Sequence, residues 1–146
     1  MKARNQWGRQ SSDRREWPIP YSIDVDHVRR RVVVVSHDPV GLADALQLLD
    51  RFVAEGVWTY SLLHDARAIT WIPSVTDIRR LLSHIEAITR TRGSRGPVAL
   101  ITANDALFGM TRMYSVLGQD IALTVEVFRD PLQAERWLDD QFPHQV

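Results

Sequence analysis

The stretch SLLHDARAITWIPSVTDIRRLL, residues 61–82, decides how this chain is read. Apolar residues crowd positions 58–63 until Asp65 stops the run, which marks a buried strand. After a short turn, Ile78, Leu81, Leu82, Ile85 and Ile88 recur at the three- and four-residue spacing of an amphipathic helix. In open α/β sheets, ligands and partners meet the protein where strands end and helices begin. Residues 65–77 are therefore the first place to look for function.

The same unit repeats on either side. Residues 21–26 alternate Tyr, Ile and Val with Ser and Asp, as a half-exposed strand does. Residues 31–36 carry the run VVVV, expected to be buried on both faces. Only a short connection joins the two, so they pair antiparallel. His37, Asp38 and Pro39 then open a helix, with Asp38 as its cap, and Leu42, Ala45, Leu46, Leu49, Phe52 and Val53 form its apolar stripe up to Gly56. Ser74 and Asp77 resemble a capping box at the next helix. Residues 97–103 form a further buried strand, and Asn104 caps a third helix bearing Leu107, Met110, Met113, Tyr114 and Leu117. Residues 121–128 are the last strand, and Asp130–Pro131 begins a short final helix. The order β-β-α-β-α-β-α-β-α implies an α/β fold with a mixed, mostly parallel sheet and helices packed on it.

Composition bounds the function classes. The chain has 146 residues, 45% hydrophobic and 25% charged, enough for one domain with a real core. Without cysteine there is no disulfide, thiolate nucleophile or zinc–sulfur site, and a reducing, cytoplasmic setting is expected. A net charge of zero argues against a dedicated nucleic-acid binder. Residues 1–20 hold five Lys and Arg against two Asp and Glu, a net +3, and show no periodicity. They read as a flexible basic tail, or as an arm for an acidic partner or lipid surface with Trp7 and Trp17 as anchors. Residues 21–140 are the domain, and 141–146 a C-terminal tail. No apolar run approaches the roughly 18 residues of a membrane span.

The segments PVALITANDALFGMTRMYSVL (97–117) and VEVFRDPLQAERWL (125–138) resemble the ending of SpoIIAA-like, or STAS, domains. More narrowly they are similar to the STAS/SEC14-like family, and the likeness spans about residues 21–140. The resemblance implies a non-catalytic regulatory module that binds a protein partner or a small apolar, lipid-like ligand and uses no cofactor. It also implies a phosphoacceptor serine in an Asp-Ser-Ser-Gly turn at a helix start, where added negative charge meets the helix dipole. Ser74 is the position that matches; Pro73 and Thr76 stand where that motif has Asp and Gly.

The expected binding surface is the turn after the central strand. Asp65 bounds it, Arg67 steers an acidic partner, and Trp71 and Ile72 supply apolar contact. Ser74 and Thr76 offer hydroxyls, with Thr102 and Asn104 on the flank. A homodimer is compatible with this reading.

Rival readings weigh less. A response-regulator receiver needs a lysine by its acyl phosphate, and the chain's single lysine is Lys2. An enzyme or metal-binding protein would gather His37, His64, Asp65 and Arg129 at the strand ends, without any sequence motif of such sites to support it. Arginines 29–31, 79–80 and 90–95 read as solvated charge. Met110, Met113, Phe108 and Tyr114 read as core, or alternatively as the lining of an adaptable apolar pocket.

Overall fold

The structure, a computed structural model, describes residues 19–141. Residues 1–18 of the basic tail, with Trp7 and Trp17, lie outside the described residues, as do positions 142–146. One five-stranded sheet runs β1 (Tyr21–Asp26), β2 (Arg31–His37), β3 (Ser61–Ala68), β4 (Val98–Ile101) and β5 (Val125–Phe128), side by side in chain order. β1 is antiparallel to β2 and the remaining pairs are parallel. Helices α1 (Leu42–Ala54), α2 (Val75–Arg92) and α3 (Asp105–Gly118) link successive parallel strands, and α4 (Pro131–Gln141) follows β5. The expected β-β-α-β-α-β-α-β-α order is thus the observed one.

Each crossover advances one strand in the same direction, so crossovers of one hand put α1, α2 and α3 on one face of the sheet. The core divides accordingly. Phe52 of α1 and Ile85 of α2 pack with Val32, Val34, Leu62, Val98 and Val125 on that face. Ala134 and Leu138 of α4 pack with Leu63, Ala99 and Ile101 on the other. α4 leaves part of its face uncovered, and Val35 there is 40% exposed. The run of four valines is therefore buried fully on the three-helix face only, not on both.

Local chemistry sets the helix ends. Asp77 N–H donates to Ser74 Oγ and Ser74 N–H to Asp77 Oδ2, both at 3.0 Å, which completes the capping box on α2. Asn104 Oδ1 accepts from Leu107 N–H at the start of α3, and Asp130 Oδ1 from Leu132 N–H at α4. Gly56, at φ +73°, lets the chain leave α1 in the left-handed region.

The start of α1 differs from the sequence reading. The helix begins at Leu42 behind Gly41, whose N–H donates to Asp44 Oδ2 at 2.9 Å. Asp38 is no cap. Its carboxylate instead accepts from Thr70 N–H and Thr70 Oγ1, both at 3.0 Å. The last strand is also shorter than expected: Ile121 closes a 3₁₀ turn, Ala122 turns the chain at φ +57°, and pairing begins only at Val125.

Candidate functional site

Side chains alternate across a strand, so the three-helix face is floored by every second residue. Paired positions form rows there: Val32, Leu62, Val98 and Val125, then Val34, His64, Leu100 and Val127. Beyond them, at the carboxyl ends of β2 and β3, come Ser36 and Ala66. The floor tapers from branched aliphatics to short or polar side chains, and the helices above do not close the gap.

What remains is a cavity of about 150 Å³. Leu48, Leu49 and Phe52 of α1, Ile78 and Leu81 of α2, and Leu107 and Met110 of α3 wall it. Half-buried Val40, Ile69, Trp71 and Pro73 stand at its mouth, on the loops beyond the strand ends. The Asp38–Thr70 hydrogen bonds tie these two loops together.

Few polar groups reach this space. Ser36 Oγ and His64 Nε2 lie 2.7 Å apart on the floor. Burial pushes the His64 pKa down to about 4; the Asp65 carboxylate opposes that shift, and the Arg95 charge adds to it. The imidazole is thus neutral at neutral pH. Tyr114 and Thr111 also line the cavity, and burial raises the Tyr114 phenol above its usual pKa. Among the described residues, His64 Nδ1, Tyr114 OH and Thr111 Oγ1 have no hydrogen-bond partner.

A serine oxygen so close to an imidazole has the spacing of a nucleophile and its base. Among the described residues no carboxylate hydrogen-bonds to His64 Nδ1, and with a pKa near 4 the imidazole is a weak base at neutral pH.

The residues expected from the sequence fall in several places. β3 runs on to Ala68, so Asp65 and Arg67 belong to the strand and not to the turn. Both point to the α4 face, where Arg67 donates to Asp65 from Nε (2.9 Å) and Nη2 (2.7 Å). That contact holds the Asp65 carboxyl below its ordinary pKa. Arg67 is therefore already paired within the chain. Trp71 faces the cavity mouth, Ile72 beside it is half-buried, and Ser74 and Thr76 are exposed at the start of α2. Thr102 is buried, its Oγ1 accepting from Asn104 N–H, while Asn104 caps α3.

His37, His64, Asp65 and Arg129 do not converge. His64 and Asp65 are consecutive in β3 and point to opposite faces. His37 is exposed, and Arg129 pairs with Asp105 at 2.6 Å and lies over the Phe108 ring. Among the described residues no three His, Asp or Glu side chains are grouped as a metal site would need. Arg95, expected in a solvated loop, is 6% exposed. It sits between the Phe52 and Trp58 rings, 4.7 and 5.1 Å from their centroids, and donates from Nη1 to the Trp58 carbonyl at 2.7 Å. Burial lowers its pKa to about 10.

Sequence reasoning offered an apolar pocket only as the alternative to core packing for the third helix, and missed the sheet floor and the α1 and α2 walls. Met110 and Tyr114 do line it, whereas Met113 and Phe108 do not. The signal was present in the taper from Val32 and Val34 to Ser36, and from Leu62 through His64 to Ala66.

No protein-family model matches the chain, and no curated protein matches it. A solved structure described as "NMR Structure of the protein TM1081" is similar, with a TM-score of 0.52 and 12% identity. The match covers 91% of this chain and 98% of that one. At that identity the likeness speaks to the fold. No helix among the described residues is long and apolar enough to cross a membrane.

Proposed function

We propose that this chain is a non-catalytic binding module of the STAS/SEC14-like type that takes a small apolar molecule into the cavity between its sheet and α1–α3. The observation that carries the reading is the cavity itself: about 150 Å³, walled by aliphatic and aromatic side chains, at the carboxyl ends of parallel strands. Open α/β sheets hold their ligands in that position. A void of this volume has room for a benzene-sized guest.

The resemblance in residues 97–138 supports a ligand-binding or regulatory role, and the cavity favours the ligand over a protein partner. Trp71 and Pro73, which a protein partner would need on the outer surface, frame the entrance. Size also narrows the ligand: a whole phospholipid does not fit, whereas a single ring or a short acyl chain does. Absence of cysteine is in keeping with a cytoplasmic setting for this role.

Toluene titrated into ¹³C-methyl-labelled protein tests the reading. Saturable shifts at the Leu48, Leu62, Leu81 and Leu107 methyls, with the remainder of the spectrum still, are expected. Shifts that grow linearly, or that scatter over the surface leucines, would overturn it.

A further inference from the structure

Resting on the apolar-ligand reading, we infer that the cavity selects an uncharged, ring-sized molecule carrying a hydrogen-bonding group that meets the free side of the His64 imidazole. Charge complementarity argues for the first half. The lining contains no Lys or Arg, and its single carboxylate, Asp44, stands at the mouth with Oδ2 taken by Gly41 N–H. Arg95 is not in the lining: it stacks on the Phe52 ring and donates from Nη1 to the Trp58 and Tyr60 carbonyls, while its buried Nη2 has no partner among the described residues. A carboxylate guest would leave water for a wall with no cation on it, and an ion buried that way is strongly disfavoured.

Hydrogen-bond accounting argues for the second half. Ser36 holds His64 through Nε2 at 2.7 Å, which fixes the ring and leaves Nδ1 without a protein partner among the described residues. A pure hydrocarbon would bury that nitrogen unsatisfied. A hydroxyl can donate to Nδ1 or accept from it, so either tautomer of the neutral ring is answered. Thr111 and Tyr114, on the α3 wall, offer further hydroxyls to the same guest.

Toluene, phenol, benzoate and benzylamine, added at neutral pH to the full chain, separate the alternatives. Phenol is expected to bind about two- to tenfold more tightly than toluene, the range one net hydrogen bond supplies. Benzoate and benzylamine should bind at least about tenfold more weakly than phenol. Phenol, and not toluene, should move the ¹⁵Nδ1 resonance of His64. In His64→Leu, the advantage of phenol over toluene should shrink; should that variant not fold, the ¹⁵N shift in the natural chain decides. Equal binding of toluene and phenol overturns the role given to His64. Benzoate matching phenol overturns the charge argument by showing that Arg95 reaches the guest, and benzylamine matching phenol does so through Asp44. In each of these cases toluene still saturates, so the apolar-ligand reading survives; that reading fails if toluene does not.

Discussion

Replacing Ala45 by leucine should fill the cavity from the α1 side. Ala45 lines it, half-buried, one turn before Leu48 and Leu49. Leucine adds three carbons, and at about 0.8 kcal/mol per buried CH₂ their burial contributes up to roughly 2.4 kcal/mol. Against that stand about 0.5–1 kcal/mol of side-chain entropy and a few tenths for helix propensity. The expected net is a gain of about 1 kcal/mol, or a melting point about 2–4 °C higher for a chain of this size. Thermal and urea unfolding would measure it, and toluene titration of the same variant should give no saturable shift. Destabilisation by more than about 1 kcal/mol would mean that the space is already filled in solution, because overpacking has that sign and size. Stabilisation with toluene binding unchanged would separate the void from the ligand site and refute the link between them.

Ser74→Ala removes the cap from α2 and should cost about 1 kcal/mol in urea unfolding, leaving toluene binding intact. Loss of binding without loss of stability would give Ser74 a direct part in recognition. Thr70→Val removes the side-chain half of the tie to Asp38 and leaves the backbone N–H bond, so the two mouth loops should separate more readily; line-shape analysis should report faster toluene exchange with a stability loss near 1 kcal/mol. His64 predicts an acid limb. Its folded pKa of about 4 lies below the ordinary 6.5, so the unfolded chain takes the proton first and stability falls as pH drops through that window, by roughly 3 kcal/mol in all. His64→Leu should flatten the limb between pH 6.5 and 4, and an unchanged slope would show that other groups set it.

Periodicity made most of the fold legible. Two distinct periods, two for strands and near 3.6 for helices, placed all nine main elements, and cap residues such as Ser74, Asn104 and Asp130 located three helix starts. The failures have physical causes. Asp65 interrupts an apolar run, yet a charged residue can continue a strand where part of one face of the sheet is uncovered, as on the α4 face here. Asp38 and Pro39 carry a helix-start pattern, but Asp38 finds a tertiary partner in Thr70, 32 residues away, which local sequence cannot foresee. Arg95 reads as loop charge because only tertiary packing brings Phe52 and Trp58 around its guanidinium.

The expected site was close to the observed cavity for a reason, and off it for another. The turn after β3 does border the opening, because parallel strands end together and their loops gather at one edge. Strand alternation, however, splits neighbours between two faces, and reading residues 65–77 as one surface joined side chains that the sheet holds apart. His64 and Asp65 are adjacent in sequence, but one floors the cavity while the other pairs with Arg67 behind the sheet. The floor adds a further argument. A mere packing fault would be bounded by aliphatic side chains throughout, since a polar group facing an empty apolar void loses its hydrogen bonds. Here Ser36, Ala66 and Ala45 are small where Val34, Leu62 and Leu48 are not, and His64 is hydrogen-bonded to Ser36. Short side chains that make room, beside a fixed polar group that a guest could satisfy, support the proposed ligand reading.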